Sequence, residues 1–163
     1  MGQTLSLWWN DLERQDQYPC PHTIYSDGFK LLVQCLLTHT LDYEYAPDVV
    51  GILAERFGID IRPLEKIFDP NEDEYPADWN AKAQLPDELA DCLQSLIRVL
   101  DSNPESLTEK DLVPRKGSVG PQRQQRDREY FLRGEFRRDL GELLILADWA
   151  KENGESRVRL YLN

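Results

Sequence analysis

The feature that most limits what this chain can fold into is a run over residues 122–153. In it Leu132, Phe136, Leu140, Leu143, Leu144, Ala147 and Ala150 recur at steps of three and four. That spacing predicts one long helix with a continuous apolar stripe. Phe131, Ile145 and Trp149 project to the opposite side, so residues 143–150 are apolar nearly all round and call for cover on both faces. Gly134 and Gly141 are the two places where such a helix could kink, since each weakens a helix interior by about 1 kcal/mol relative to Ala. Gly154 ends the run.

After Gly154, Val158, Leu160 and Leu162 alternate with Arg157, Arg159 and Tyr161, and at the other end of the chain Leu5, Leu7 and Trp9 alternate with Thr4, Ser6 and Trp8. Period-two alternation predicts two strands, and pairing them would satisfy both backbones. A third strand could come from residues 22–25 or from 59–61. The resulting expectation is a single α+β domain over residues 1–163, mainly helical, with about four to five helices packed with a small antiparallel sheet formed by the two ends of the chain.

The other helices announce themselves by their ends. Ser26 or Asp27 caps a helix to about Thr38 that is apolar on most sides. Pro47 opens a second, which buries Val49, Ile52, Leu53 and Phe57 and stops at Gly58. Pro86, followed by Asp87 and Glu88, opens a third with the stripe Leu89, Leu93, Leu96, Ile97 and Leu100, ending before Asn103-Pro104. Ser106 with Glu109 fits a capping box for a short helix to about Leu112. Residues 113–125 read as a mobile basic loop.

The chain has 163 residues and a net charge of -11, with 40% hydrophobic residues, enough for one sizeable core. The charge is uneven. Residues 1–102 carry 7 Lys and Arg against 19 Asp and Glu, a net of -12, whereas residues 103–163 carry 12 against 11, a net of +1. A field of this sign repels nucleic acid and anionic membranes and favours basic partners. Arg115, Lys116, Arg123, Arg126 and Arg128 are the residues that could still contact phosphates locally.

No apolar run approaches the roughly 20 residues a membrane span needs, and the amino terminus lacks a basic region followed by an apolar one. Gly2 with Ser6 matches the short myristoylation pattern, but Leu5, Leu7 and Trp9 account for that stretch as a strand. Three cysteines, Cys20, Cys35 and Cys92, make no disulfide framework, so reduced thiols and a cytoplasmic location are the expectation.

Cys20, His22, Cys35 and His39 fall within 20 residues and could in principle fill a zinc shell. The single residue between Cys20 and His22 is too tight for the usual spacing, and Cys35 sits in an apolar helix, so no metal and no cofactor are expected there. A thiol nucleophile at Cys20 has no supporting local motif. The acidic stretch from Asp69 starts like a calcium loop but places Glu74 where glycine is required.

What remains is a pairing of acids with aromatics in two loops. Asp42, Tyr43, Glu44 and Tyr45 lie in one, and Glu72, Asp73, Glu74, Tyr75 and Trp79 in the other. Rigid rings supply contact area at small entropic cost and rim carboxylates steer a cationic partner. These residues are therefore the expected partner-binding set of a non-enzymatic acidic protein. It would bind and neutralise or regulate a basic protein, in the manner of an inhibitor, an immunity protein or an accessory subunit. The alternative is a small hydrolase or metal-dependent enzyme built on the Cys and His cluster or on the acidic loops.

Overall fold

A computed structural model describes residues 4–9, 24–25, 31–32, 34–35, 46–67, 85–114, 116–155 and 158–162, with side chains at all of these except 4–9, 24–25, 66–67 and 159–162. The body it shows is built from helices. These are α1 (Val49–Phe57), α2 (Arg62–Ile67), α3 (Pro86–Ser102), α4 (Pro121–Leu132) and α5 (Glu135–Glu152), with a 3-10 turn over Glu109–Asp111 between α3 and α4. Leu31, Leu32 and Cys35 are also helical and buried.

The expected α+β class is corrected by this body, which is mainly helical, 71% in five helices, with no sheet as part of it. The backbone segment Thr4–Trp9 pairs antiparallel with both Ile24–Tyr25 and Val158–Leu162. Of their side chains only Val158 is described, and it is the one residue of the three segments in the described core. Alternation at Leu5, Leu7, Leu160 and Leu162 sets a local preference for extended backbone. It does not decide whether such segments supply a layer of the core, and here the helices supply it.

α3 and α5 make the most extensive contact between helices. Leu89, Leu93 and Leu96 of α3 and Phe136, Leu140, Leu143, Ala147 and Ala150 of α5 belong to one buried cluster, each position contributed by a three-four step. Fully burying a side chain such as Leu140 contributes about 1.5–3 kcal/mol. α3 begins as its sequence predicts, with Pro86 in the first turn and Asp87 and Glu88 against the positive end of the helix dipole. α1 begins two residues later than the Pro47 start, capped by Asp48, whose carboxylate accepts from the Gly51 N–H at 3.1 Å. It ends at Gly58, in the left-handed region at φ 66°.

The long carboxyl-terminal helix is in fact two. The chain breaks after Leu132, and Gly134 takes φ 100°, which helical backbone does not allow. Gly141, the other suspected weak point, stays inside α5. Across the break the rings of Tyr130, Phe131 and Phe136 pack edge to face, with Phe131 centroids 4.9 Å from Tyr130 and 5.2 Å from Phe136. Cover on both faces of α5 is incomplete among the described residues, for Ile145 is 45% exposed.

Two further expectations shift in register. The capping box belongs to Thr108 and Asp111, not to Ser106 and Glu109, and the element it opens is a single 3-10 turn. Residues 59–61 form no strand; they lead into α2, with Ile61 buried and Asp60 accepting from the Arg62 N–H. Among the described residues no helix is long and apolar enough to cross a membrane.

Candidate functional site

The two loops expected to bind a partner lie outside the described residues, both Asp42, Tyr43, Glu44 and Tyr45 and Glu72, Asp73, Glu74, Tyr75 and Trp79. Their anchors are described. The first loop rejoins the body at buried Ala46, just ahead of the Asp48 cap. The second, residues 68–84, leaves from the end of α2 and returns at Leu85, immediately before α3.

Between those same two helices lies a groove of about 370 Å³. Its lining includes Asp60, Arg62, Glu88 and Asp91, with Ile59 and Cys92 as apolar surface. Three carboxylates face one guanidinium, and that guanidinium is committed to Asp60, Arg62 Nε donating to Asp60 Oδ1 at 2.8 Å. The hydrogen bonds from the Arg62 side chain and then its backbone N–H hold the Asp60 carboxyl down at about 2. Glu88 and Asp91 form no ion pair among the described residues. Sequence reasoning missed this groove, because Asp87, Glu88 and Asp91 read as the polar face and first turn of a core helix.

Cys92 is 4% exposed, and burial pushes its thiol up to about 12, helped by the charge of Asp60. A thiol held protonated is a poor nucleophile. The groove therefore offers negative charge over an apolar floor, which suits a cationic side chain on an aliphatic stem. Among the described residues no three His, Cys, Asp or Glu side chains are grouped as metal ligands would be.

Of the Cys and His cluster only Cys35 is described; Cys20, His22 and His39 fall outside. Cys35 is fully buried, its Sγ accepts from the Val50 N–H at 3.4 Å, and burial raises the thiol to about 12.

The basic stretch turns much of its charge on the protein itself. Arg123 Nε donates to buried Asp127 at 2.8 Å while its Nη2 donates to Gln34 at 2.7 Å. Arg137 makes two bonds of 3.0 Å to Asp101 at the end of α3. Arg128 donates to Gln125 at 2.7 Å and lies 3.9 Å from Glu109. Arg138 lies 3.6 Å from the buried carboxylate of Asp139. Arg115 is outside the described residues, so of the cations that could contact phosphates, Arg123 and Arg128 have intramolecular partners on view.

Comparison of the chain with protein-family models, with curated proteins and with solved structures gives no match.

Proposed function

We propose that this chain is a non-enzymatic interaction protein of the cytoplasm that binds a basic protein partner and neutralises or regulates it. The observation that carries the reading is the acidic groove between α2 and α3, at the root of the loop that holds Glu72, Asp73, Glu74, Tyr75 and Trp79. In sequence, the two helices that form the groove flank the segment carrying Glu72, Asp73, Glu74, Tyr75 and Trp79. Much of the chain's positive charge is meanwhile occupied internally, as at Arg123, Arg137 and Arg62, so the surplus available to a partner is acidic. Loop 42–45, with Tyr43 and Tyr45, is the second part of the binding face.

The test starts from a pull-down with the full chain in its native host, followed by rate measurements with the purified co-precipitating protein at low and high salt. Replacing Glu72, Asp73 and Glu74 by Ser is expected to slow association and flatten its salt dependence. Trp79→Ala is expected chiefly to speed dissociation, with a cost of about 2 kcal/mol or more if the ring is a central anchor. Each variant is first shown to be folded. Association that is independent of salt and untouched by the triple Ser change rules the reading out.

A further inference from the structure

Residues 116–120, just ahead of α4, are non-helical and present Ser118 in the open. Gly117, at φ 73° with nothing within 4 Å of where a Cβ would stand, turns the backbone just ahead of it. Arg115 and Lys116 stand three and two residues before Ser118, and Val119 follows it. Residues 112–126 hold no carboxylate side chain, in a chain whose net charge is -11. That is the pattern a kinase with an acidic substrate cleft selects: cations ahead of an exposed hydroxyl, with an apolar residue after it.

The surroundings of Ser118 are also suited to the product. Ser118 shares the lining of a groove of about 250 Å³ with Gln124 and Arg128 of α4. Arg128 donates to Gln125 at 2.7 Å, and Glu109 is 3.9 Å away. α4 starts at Pro121, and its N-cap, Gly120, two residues beyond Ser118, supplies no side-chain cap. A dianion placed there meets a guanidinium and the positive end of a helix.

We propose that Ser118 is a phosphorylation site for a Ser/Thr protein kinase that reads cations ahead of its acceptor, and that Arg128 receives the phosphate. In the transfer the Ser118 Oγ forms a bond to the γ-phosphorus of ATP as the bond to the β,γ-bridging oxygen breaks. ADP leaves, and the hydroxyl proton passes to the kinase's carboxylate. The added charge of about -1.5 to -2 then draws Arg128 from Glu109 and ties the segment to α4.

The experiment incubates the folded full chain with magnesium ATP and the catalytic subunit of cyclic-AMP-dependent protein kinase, with peptide mapping by mass spectrometry. One phosphate on Ser118, absent in Ser118→Ala, is expected. Phosphorus NMR then follows the phosphoserine through its second ionisation, which is expected below the free value of about 6 and restored toward it in Arg128→Gln. A folded chain that takes no phosphate at Ser118 overturns the site. A phosphoserine that titrates alike in the wild-type and Arg128→Gln proteins overturns the docking.

Discussion

The phenol of Tyr130, on α4, donates to Asp139 Oδ2, on α5, at 2.8 Å across the Gly134 break, and both side chains are inside the core at 1% and 0% exposure. A carboxylate buried this deeply depends on its donors, since desolvation would otherwise favour unfolding. Tyr130→Phe keeps the ring and removes the donor. It is expected to destabilise the protein by about 1–3 kcal/mol, the cost of depriving a buried acceptor. Burial, seconded by the charge of Asp139, raises the Tyr130 phenol above its ordinary range. The unfolded chain therefore ionises first, and stability falls as pH climbs past about 10. Urea unfolding of both proteins up to alkaline pH checks the cost and shows whether Tyr130→Phe relieves part of that decline.

Arg56, on α1, grips the far side of the turn after α3. Its Nη1 donates to the Ser106 carbonyl at 2.6 Å, and its Nη2 to Asp111 Oδ1 at 2.8 Å. The bond from Arg56 holds the Asp111 carboxyl below its ordinary range. A depressed carboxyl contributes stability that is fully present above the unfolded value, about 3.9, and lost as pH falls through the folded one. Asp111→Asn should lower the urea midpoint near neutrality by an amount worth up to about 1 kcal/mol, as solvent-screened pairs do. The gap between variant and parent should close on acidification, and a gap that persists below the folded value would contradict the assignment.

Two glycines seven positions apart, Gly134 and Gly141, should respond to alanine with opposite signs. At Gly134 nothing would touch a Cβ, but φ 100° strains any L side chain, and a loss of about 1–2 kcal/mol is expected. At Gly141 the backbone is helical and a Cβ would meet only Arg137 Nη1, the movable end of a long side chain, at 3.2 Å. There alanine should gain up to about 1 kcal/mol from helix propensity. Thermal melts of the two variants decide it, and equal shifts would mean the break at Gly134 is not the strained point.

Cys35 and Cys92 are both buried with thiols raised to about 12. Alkylation by iodoacetamide near neutral pH should leave both unmodified in the native protein and label both in urea, read by peptide mass spectrometry. Rapid native labelling of Cys92 would show that the floor of the acidic groove opens to solvent.

The helices were legible where sequence carries their ends as well as their faces. Pro86, the acids behind it and Asn103-Pro104 bracket α3 to the residue. The Gly134 break was legible only as one of two glycines where the helix could kink, because the stripe from Leu132 to Phe136 and Leu140 passes through it in step, and periodicity is blind to one residue with positive φ. Thr108 with Asp111 and Ser106 with Glu109 are overlapping registers of one capping pattern, separable only by which hydroxyl meets which N–H. The acidic groove needed the approach of Asp60 to Glu88 and Asp91 across α2 and α3, a juxtaposition that no linear spacing encodes.

Arg123 joins α4 to Gln34, 89 residues earlier in the chain, while Tyr130 and Phe131 hold the other end of the same helix in the core. The peptide between Val113 and Gly120 is then a tether, and the halves it connects are fastened by side chains. A single cut within it would leave one particle made of two pieces. New chain ends opened there, with the old ones joined, would define a circularly permuted protein that keeps its architecture.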